Sequence, residues 1–481
     1  MALFLGVDIG TSTAKATVLD ENYRIVYNTV EKVRVMNPKP GFYEVDADKT
    51  WWQTFLKILK KMSLVLDLYQ IEAVCISSVC GSFVPVDENL RPLRRAIMYG
   101  IDRRAINEIE CLNKLFGEEY LIRKLGSKFT THSLIPKFLW LKNNEPDIYT
   151  KTCYFVESSN YVTSKLTGET AWDFPTASGC QLLDLHTMAY PLEMMDLIGI
   201  DLSKLPKLLW PSQVLSTVSR KASEITGLKI GTKVFVGACD VNMESMSCGA
   251  TKPGDLMITF GSTTSILLNT RNLVFREGFV SGVSLEPGIY RLGGATSSGA
   301  RFIQAMKKLF RPSRKRARGM ETVPRLPTGI IILPYLDGAR CPYHDPHAVG
   351  VLFGLRSDTT PEDLESAFLE ALAVEVAVII GRISDLIPHD RPIHVTGGLS
   401  KIPLLMKLLA SVTGKALQVH SDVDASLGGA LMTISNTLMT DLVCYNQDGH
   451  LVYPDLELLS KYAYYVKEYD FLCRTLFMKD R

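Results

Sequence analysis

The chain has 481 residues, which exceeds what one hydrophobic core usually supports, so two large domains are expected. Hydrophobic residues make up 46% and charged residues 22% of the chain, and this composition excludes a fibre and a disordered chain. Lys and Arg total 53 against 51 Asp and Glu, so the formal net charge is +2 and nucleic acid is not expected as a partner. The basic run at residues 311–318 is interpreted as an exposed loop.

No secretory leader is apparent before the first predicted strand, and the longest apolar run, residues 371–380, is too short to span a bilayer. The ten cysteines contain no CxxC pair, which favours reduced thiols over a disulfide framework or a zinc site. We therefore expect a cytoplasmic protein that does not associate with a membrane.

The first half of the chain alternates short apolar runs, typical of strands, with stretches of helical periodicity. Strands are predicted at residues 3–8, 16–19, 24–33 and 71–77. Helices are predicted at residues 51–66, 137–141 and 158–166. This alternation indicates an α/β fold.

The same pattern restarts in the second half. Strands are predicted at residues 233–236, 256–260, 265–268 and 393–396, and helices at 361–386 and 402–410. In each half a strand runs into a turn of Gly, Ser and Thr and then into another strand, which indicates an internal repeat. We therefore predict an N-terminal domain at residues 1–248, a C-terminal domain at 249–440 and a tail at 441–481 that packs back as a helix.

The two turns are candidate phosphate-binding hairpins. Glycine lets the backbone approach an anion closely, and the N–H and hydroxyl groups donate hydrogen bonds to phosphate oxygens. The residues are Gly10, Thr11, Ser12 and Thr13 in the first hairpin and Gly261, Ser262 and Thr263 in the second. One such turn would be read as an ordinary hairpin, and neither is a P-loop. Two in matching contexts predict a cleft that binds one polyphosphate from both sides.

Other residues near these turns fit the same chemistry. Asp8 ends the first strand and could position Mg²⁺ beside phosphates, although a turn-capping aspartate is the alternative. Lys15 could neutralise phosphate charge or equally be a solvated strand residue. Gly397 and Gly398 lie between a strand and a helix, a corner where a nucleotide can bind, although a plain tight turn would look the same.

Eight segments then occur in an order that resembles a known family. They are residues 6–12 (GVDIGTS), 136–142 (PKFLWLK), 237–240 (GACD), 259–263 (TFGST), 293–299 (GGATSSG), 333–340 with 345–346 (LPYLDGAR and DP), 350–370 and 394–398 (HVTGG). Over residues 3 to about 432 the chain resembles the FGGY family of carbohydrate kinases, within the actin-like ATPase superfamily.

The resemblance implies two ribonuclease-H-like domains with a cleft between them. ATP would lie largely on the C-terminal domain, with Gly299 among its contacts, and the sugar mainly on the N-terminal one. Asp240 would be the general base that takes the proton of the acceptor hydroxyl, an assistance typically worth about 10²–10⁴-fold. Alignment and charge neutralisation by Mg²⁺ and the hairpins would contribute more.

The acceptor side departs from the family pattern. Cys80 and Gly81 stand where xylulokinase-like members carry Met-His and glycerol-kinase-like members carry Arg-Glu. Gly100 falls at the Trp position of the WxDxRA segment. In that segment Asp102 is expected to accept hydrogen bonds from two vicinal hydroxyls, with Arg104 holding its carboxylate. Residues 173–178 resemble the family's DxxxAS segment and are expected mainly to support the fold.

These features predict ATP-dependent phosphorylation of a hydroxyl of a sugar or polyol, with a ketopentose such as xylulose or ribulose as the leading acceptor. Another polyol or a hexulose is left open. A non-catalytic nucleotide-binding switch of the same superfamily is the alternative from a different class. The sequence also leaves a homodimer open.

Overall fold

The computed structural model describes residues 2–310, 326–420, 422–440 and 449–477. The basic run at residues 311–318 lies outside the described residues, as does part of the tail. Within the described ranges, no helix combines the length and apolarity that crossing a membrane would need.

The first half of the chain forms a central sheet that carries an inserted lobe. Its strands are β1 (Leu3–Ile9), β2 (Thr13–Asp20), β3 (Ile25–Lys32), β4 (Met36–Lys39), β5 (Phe42–Val45), β6 (Ile71–Ser78), β7 (Phe83–Val86), β8 (Ala96–Ile97), β9 (Tyr154–Glu157), β10 (Ala171–Asp173), β11 (Lys207–Leu209), β12 (Val214–Thr217) and β13 (Lys233–Phe235). Its helices are α1 (Gln53–Met62), α2 (Ile106–Phe116), α3 (Glu118–Leu125), α4 (Ile135–Asn144), α5 (Pro146–Lys151), α6 (Ser158–Thr167), α7 (Phe174–Gly179), α8 (Leu192–Leu197), α9 (Arg220–Thr226) and α10 (Asp240–Ser247).

The second half forms another central sheet with helices around it. Its strands are β14 (Leu256–Phe260), β15 (Thr264–Thr270), β16 (Val280–Val283), β17 (Tyr290–Thr296), β18 (Ile331–Leu333), β19 (Val351–Phe353), β20 (Ile393–Thr396), β21 (Leu417–Val419) and β22 (His450–Val452). Its helices are α11 (Ala300–Phe310), α12 (Pro361–Gly381), α13 (Pro403–Thr413), α14 (Ala425–Leu438) and α15 (Leu456–Phe477).

The two central sheets share one strand order. The first runs β3-β2-β1-β6-β13-β12, and the second runs β16-β17-β15-β14-β20-β21-β22. In each, antiparallel strands are followed by two parallel strands and an antiparallel edge strand. Because β1 and β14 occupy equivalent places and each leads into a Gly-Thr/Ser turn, the predicted internal repeat is confirmed.

Two predicted elements differ from the structure. The helix expected at residues 361–386 ends at Gly381 and is followed by a separate 3₁₀ turn, Ser384–Leu386. Glycine is a poor helix former, and Pro388 lies just beyond, so the helix cannot extend. The tail, expected only as a helix, also supplies β22, which pairs with β21 and closes the second sheet.

The inserted lobe is built from segments before and after β6 and has its own sheet, in the order β4-β5-β8-β7-β9. Its core is aromatic: the rings of Phe83, Phe138 and Phe155 pack with centroids between 4.2 and 5.7 Å apart. Such stacked and edge-to-face rings pack rigidly. The lobe therefore holds firmly the loops that carry Cys80, Gly81 and the segment after β8.

The halves meet through α10 and α14, which pack at backbone distance. A Cβ on Gly6 of β1 would lie 1.9 Å from the Ser426 carbonyl oxygen, and one on Gly428 would lie 1.8 Å from that of Met243. Only glycine permits such close packing. The helix α14 thus lies on the first sheet although it falls within the predicted C-terminal domain. The boundary at residue 248 stays a prediction.

Candidate active site

Asp8 lies on β1, opposite Lys15 of β2 on one side and Ser77 of β6 on the other. The Ser77 hydroxyl donates a 2.9 Å hydrogen bond to Asp8 Oδ1. Burial raises the pKa of Asp8 to about 6, opposed by the Ser77 hydrogen bond and reinforced by the nearby charge of Asp424. The carboxylate therefore lacks full charge compensation from the protein.

Asp240 is the first residue of α10 rather than the end of a strand, since β13 already stops at Phe235. Its Oδ1 accepts a 2.8 Å hydrogen bond from the Val241 N–H. A helix N-terminus stabilises a carboxylate, yet burial and then the charge of Asp8 raise the pKa of Asp240 to about 8. Its carboxyl group can therefore exchange a proton near neutral pH.

Glu244 lies one helical turn after Asp240, on the same face of α10. Burial raises its pKa to about 7, against a hydrogen bond with Thr396 and with added repulsion from Asp8 and Asp424. Sequence reasoning missed this residue. The four-residue spacing from Asp240, which would place both side chains on one face of a helix, was the signal that could have found it.

Asp424 is a second missed carboxylate, and it caps the N-terminus of α14. Its Oδ1 accepts from the N–H groups of Ser426 and Leu427, while its Oδ2 lies 3.3 Å from Lys15 Nζ. Lys15, predicted either to neutralise phosphate or to be solvated, is therefore held in an ion pair at the edge of the same cluster. The helix cap and the ion pair together explain why an aspartate is placed here.

Asp8, Asp240, Glu244 and Asp424 form an acidic cluster, with Lys15 as its cation. The first three keep partial solvent access although other atoms surround them, as expected of side chains that line a narrow cleft. Oxygen ligands are what Mg²⁺ prefers, and it commonly binds through one or two carboxylates plus phosphate oxygens. The undercompensated charge of the acidic cluster fits a divalent cation.

The two predicted phosphate hairpins are built alike. The Gly10 N–H donates to the Thr13 carbonyl oxygen at 2.9 Å, and the Gly261 N–H donates to that of Thr263 at 3.0 Å. Ser12 in the first turn and Ser262 in the second are exposed. The hydroxyls at both turns are therefore available to an anion.

Gly299 directly precedes α11 and packs against the second hairpin. A Cβ there would lie 2.8 Å from the Ser262 carbonyl oxygen, and the Ala300 N–H donates to the carbonyl oxygen of Gly261 at 3.0 Å. The N-terminus of α11 therefore abuts the second hairpin, and helix N-termini favour anions.

Gly397 and Gly398 differ in what they require. Gly397 has φ of +89°, and a Cβ there would lie 2.4 Å from the Phe260 carbonyl oxygen, whereas no atom lies within 4 Å of a Cβ on Gly398. Gly397 thus holds the strand–helix corner tight, and Gly398 leaves it open on the outside. This open surface fits the close approach of a nucleotide.

The loop after β6 brings three thiols together. Cys80 Sγ lies 3.4 Å from Cys180 Sγ, and the Asn242 side chain donates to Cys239 Sγ at 3.1 Å. The hydrogen bond with Cys180 raises the pKa of Cys80 well above its usual value, and the one with Cys80 raises that of Cys239, so both thiols are neutral at pH 7. Gly81 has φ of +84°, and its Cβ would lie 2.8 Å from Cys180 Sγ, so this packing excludes a larger side chain.

Gly100, at the family's Trp position, makes room for His132. A Cβ on Gly100 would lie 2.2 Å from His132 Nε2, and the His132 ring packs against Tyr99 with centroids 5.9 Å apart. Arg340, from the second half of the chain, brings Nη2 to 3.4 Å from the same Nε2. Burial lowers the pKa of His132 to about 3, so its imidazole is neutral. Sequence reasoning missed both His132 and Arg340.

The predicted sugar contact through Asp102 and Arg104 is wrong in this structure. Both Asp102 oxygens already accept hydrogen bonds, from the Tyr43 N–H at 2.7 Å and from the Arg104 guanidinium at 2.8 and 2.9 Å. Neither side chain has exposed surface, and the guanidinium lies over the rings of Phe42 and Trp140. The pair is an internal brace for the loop that carries Tyr99 and Gly100.

The segment at residues 173–178 supports the site from behind, as expected. Asp173 caps α7, and the Thr176 hydroxyl accepts a 3.2 Å hydrogen bond from the Cys239 N–H. The Ser178 hydroxyl accepts a 3.2 Å hydrogen bond from the Val283 N–H in the second half of the chain. This segment thus hydrogen-bonds both to Cys239, the residue before Asp240, and to Val283 in the second half of the chain.

Comparisons with known proteins agree with this architecture. Residues 3–247 match the N-terminal domain model, and residues 256–435 the C-terminal domain model, of the FGGY family of carbohydrate kinases. The chain is 24% identical to a xylulose kinase of Staphylococcus xylosus over 90% of both chains.

Solved structures show the same fold. A xylulose kinase from Rhodospirillum rubrum superposes with a TM-score of 0.88 at 23% identity, over 98% of this chain and 99% of that one. A gluconate kinase from Lactobacillus acidophilus superposes with a TM-score of 0.90 at 20% identity, over 99% and 98%. The chain belongs to the FGGY family of carbohydrate kinases, which confirms the predicted family, two-domain fold and enzyme class.

Proposed function

We propose that this carbohydrate kinase transfers the γ-phosphoryl group of ATP to a hydroxyl of a ketopentose, xylulose or ribulose, with Asp240 as general base. The observation that carries the proposal is the position of Asp240 on α10, beside Asp8 and with a pKa raised to about 8. A base with a pKa near the working pH combines the correct protonation state with driving force for proton transfer. The xylulose kinases among its relatives support the ketopentose.

The residues of the C-terminal side would hold the nucleotide. Gly261, Ser262 and Thr263 would contact its phosphates, Gly299 would allow the close approach of α11, and Gly397 and Gly398 would line the adenosine end. The first hairpin would contact the phosphates from the opposite side. Its residues are Gly10, Thr11, Ser12 and Thr13. Hydrogen bonds from both sides would align the transferred group.

The acidic cluster would hold Mg²⁺, which neutralises phosphate charge when bound. Asp8 and Glu244 offer the carboxylate oxygens, and Lys15 lies close enough to add positive charge at the phosphates. Asp240 then takes the proton of the acceptor hydroxyl at its carboxylate, with the Val241 N–H fixing one oxygen. Closure of the two halves would exclude water as a competing acceptor.

The acceptor would lie between the loop after β6 and the His132 side chain. The proposed contacts are Cys80, Gly81, Tyr99, His132 and Asp240. Cys80, Gly81, Tyr99 and His132 are uncharged at pH 7, since the pKa of the Cys80 thiol is raised and that of the imidazole is lowered to about 3. Neutral donors and acceptors suit the hydroxyl groups of a sugar.

One observation favours a second acceptor class. No carboxylate of the described residues pairs with Arg340, although its guanidinium is half-buried and faces His132. A guanidinium binds carboxylates and phosphates well, so a sugar acid such as an aldonate is the second candidate. The Arg340 guanidinium would also stabilise the negative charge of the transferred phosphoryl group, and this role would apply to any acceptor.

The test is ADP release from ATP and Mg²⁺ over pentuloses, hexuloses, pentitols, tetritols, glycerol and gluconate, with Asp240→Asn alongside. We expect a ketopentose to stimulate release and Asp240→Asn to reduce kcat by about 10²–10⁴-fold while ATP still binds. Full activity of Asp240→Asn would contradict the assignment of the base. ATP binding without stimulation by any acceptor would favour a nucleotide-dependent switch instead.

A further inference from the structure

A second group of chemically reactive side chains lies outside the acidic cluster, at the C-terminal end of α10. Ligand atoms of Cys248, His394 and His420 all lie within 4.8 Å of one another. The separation between His394 Nδ1 and His420 Nε2 is 3.1 Å. Met257 adds a thioether, with Sδ 3.6 Å from Cys248 Sγ. These four residues are called the sulfur–histidine cluster below.

The fold places the sulfur–histidine cluster one helical turn beyond Glu244. Asp240, Glu244 and Cys248 follow one another at intervals of four residues, and four residues of helix rise about 6 Å. Glu244 bonds to Thr396 of β20, and Cys248 meets His394, two residues earlier on that strand. Carboxylates therefore lie along the first part of α10, and Cys248 after its last turn meets the imidazoles.

Distances and donor types fit a metal ion. Zinc binds nitrogen at about 2.0–2.1 Å and sulfur at about 2.3 Å, so tetrahedral ligand atoms lie roughly 3–4 Å apart. The ligand atoms lie within 4.8 Å of one another, so they must approach further to reach that range when a metal binds. Thiolate, thioether and imidazole together suit zinc or copper(I) and not Mg²⁺, which takes oxygen ligands.

Two features of the histidines support the same interpretation. The His394 ring hydrogen-bonds the backbone of Cys248, the kind of outer partner that fixes the orientation of metal-bound histidines. His420 is fully buried, and its Nδ1 has no hydrogen-bond partner. Buried polar atoms usually have a hydrogen-bond partner, so one without a partner calls for an explanation, and a bound ion is such an explanation.

We propose that Cys248, His394 and His420, with Met257 as a fourth contact, form a binding site for a thiophilic transition-metal ion, zinc or copper(I). Binding releases the Cys248 thiol proton to solvent and leaves a thiolate on the metal. The ion would join the helix that carries Asp240 to β14, β20 and the residue after β21, and so fix α10 against the second sheet. The site is distinct from the acidic cluster, where Mg²⁺ is proposed.

The experiment is a Co²⁺ titration of the full-length protein, kept reduced with a non-chelating phosphine. We expect one equivalent to bind, with the intense visible bands of tetrahedral Co²⁺ and a near-ultraviolet thiolate charge-transfer band. Stoichiometric Zn²⁺ should abolish these bands, and excess Mg²⁺ should leave them unchanged. Absence of the bands at one equivalent would overturn the proposal.

Cys248→Ala assigns the bands, with Cys111→Ser as the matched control at an exposed thiol. We expect Cys248→Ala to remove the charge-transfer band and to weaken Co²⁺ binding at least about 100-fold, more than loss of an outer partner typically costs. Cys111→Ser should bind as the unaltered protein does. Should Cys248→Ala fail to fold by circular dichroism, Cys248→Ser and His394→Gln carry the same expectation.

Two further variants separate the alternatives. Bands that persist in Cys248→Ala and vanish in Cys80→Ala would place the ion at the thiols of the acceptor side, and would overturn the proposal. Met257→Leu distinguishes the metals, since a copper(I) site should lose affinity without the thioether and a zinc site should not. Either result for Met257→Leu is compatible with the site and names its ion.

Discussion

The two sides of the cleft follow their family to different degrees. On the nucleotide side, Gly10, Gly261 and Gly397 stand in the expected turns, and the structure gives each a steric or hydrogen-bonding reason. On the acceptor side, Cys80 and Gly100 replace larger family residues, and side chains from distant segments occupy the space. The turns proposed to bind phosphate are thus encoded locally, whereas the proposed acceptor pocket depends on how distant segments meet.

The largest expected loss of activity follows from a substitution at Asp8, on the side of the cleft that keeps the family pattern. We expect Asp8→Asn to lower kcat by about 10²–10³-fold, because the proposed Mg²⁺ site loses a charged ligand. Stability at pH 7.5 should not fall, since Asn can still accept from Ser77 and the disfavoured charge is gone. Steady-state ADP release and a thermal melt measure both effects.

Asp67→Asn is the control for Asp8→Asn, because Asp67 is an exposed cap of a short turn far from the cleft. Its activity should equal that of the unaltered protein. Retention of full activity by Asp8→Asn would contradict the placement of the metal beside β1.

The next largest effect separates the two glycines of the nucleotide corner. Gly397→Ala should lower the free energy of unfolding by about 1–3 kcal/mol, because its backbone has positive φ and its Cβ would meet the Phe260 carbonyl oxygen. Gly398→Ala should leave stability unchanged, because its Cβ points into open space. Both should raise the KM for ATP if the nucleotide lies on this corner, as denaturant melts and ATP titrations would show. An unchanged KM in Gly398→Ala would remove that glycine from the nucleotide site.

On the acceptor side the expected effect is smaller and confined to one substrate. His132→Gln should raise the KM for the acceptor about tenfold, equivalent to a hydrogen bond worth about 1.4 kcal/mol, and leave the KM for ATP unchanged. His186→Gln is the matched control, because His186 is an exposed histidine whose ring contacts the Arg123 carbonyl oxygen. Equal changes in both KM values for His132→Gln would instead indicate a general distortion of the cleft.

The two turns of Gly, Ser and Thr could be located from the sequence for a physical reason. Each phosphate hairpin is a run of consecutive residues between two apolar strands, so its turn chemistry is visible without the fold. Glu244 was within reach by the same reasoning, through its spacing from Asp240 on α10. The repeated strand–turn–strand pattern predicted two related halves, whereas the strand order of the two sheets came from the structure.

The residues of the proposed acceptor site could not be predicted from runs of consecutive residues. His132 and Arg340 lie 208 residues apart and meet only after both halves have folded. Asp102 looks like a sugar ligand in its motif, but its burial depends on Tyr43 and on the rings over Arg104. The sulfur–histidine cluster could not be found either, because Cys248, His394 and His420 are too far apart in sequence to form a recognisable metal-binding motif.

The smallest predicted effect is a pH dependence of stability that distinguishes the acidic side of the cleft from the thiol-lined side. Burial raises the pKa of Asp8 from 3.8 to about 6, that of Glu244 from 4.5 to about 7 and that of Asp240 from 3.8 to about 8. The folded state therefore holds more protons than the unfolded state between about pH 4 and pH 8. Their contribution to stability is fully present below about pH 4 and is lost as the pH rises toward 8.

Thermal melts of the protein without metal or nucleotide should therefore show a melting temperature that falls from pH 5.5 to pH 8.5. Added Mg²⁺ should raise it more at pH 8.5 than at pH 5.5, because only the ionised carboxylates bind the cation. Asp8→Asn should flatten the pH dependence and weaken the response to Mg²⁺, whereas Cys80→Ala should leave both unchanged. An equal response to Mg²⁺ at both pH values would mean that the cation does not bind at the ionised carboxylates of the acidic cluster.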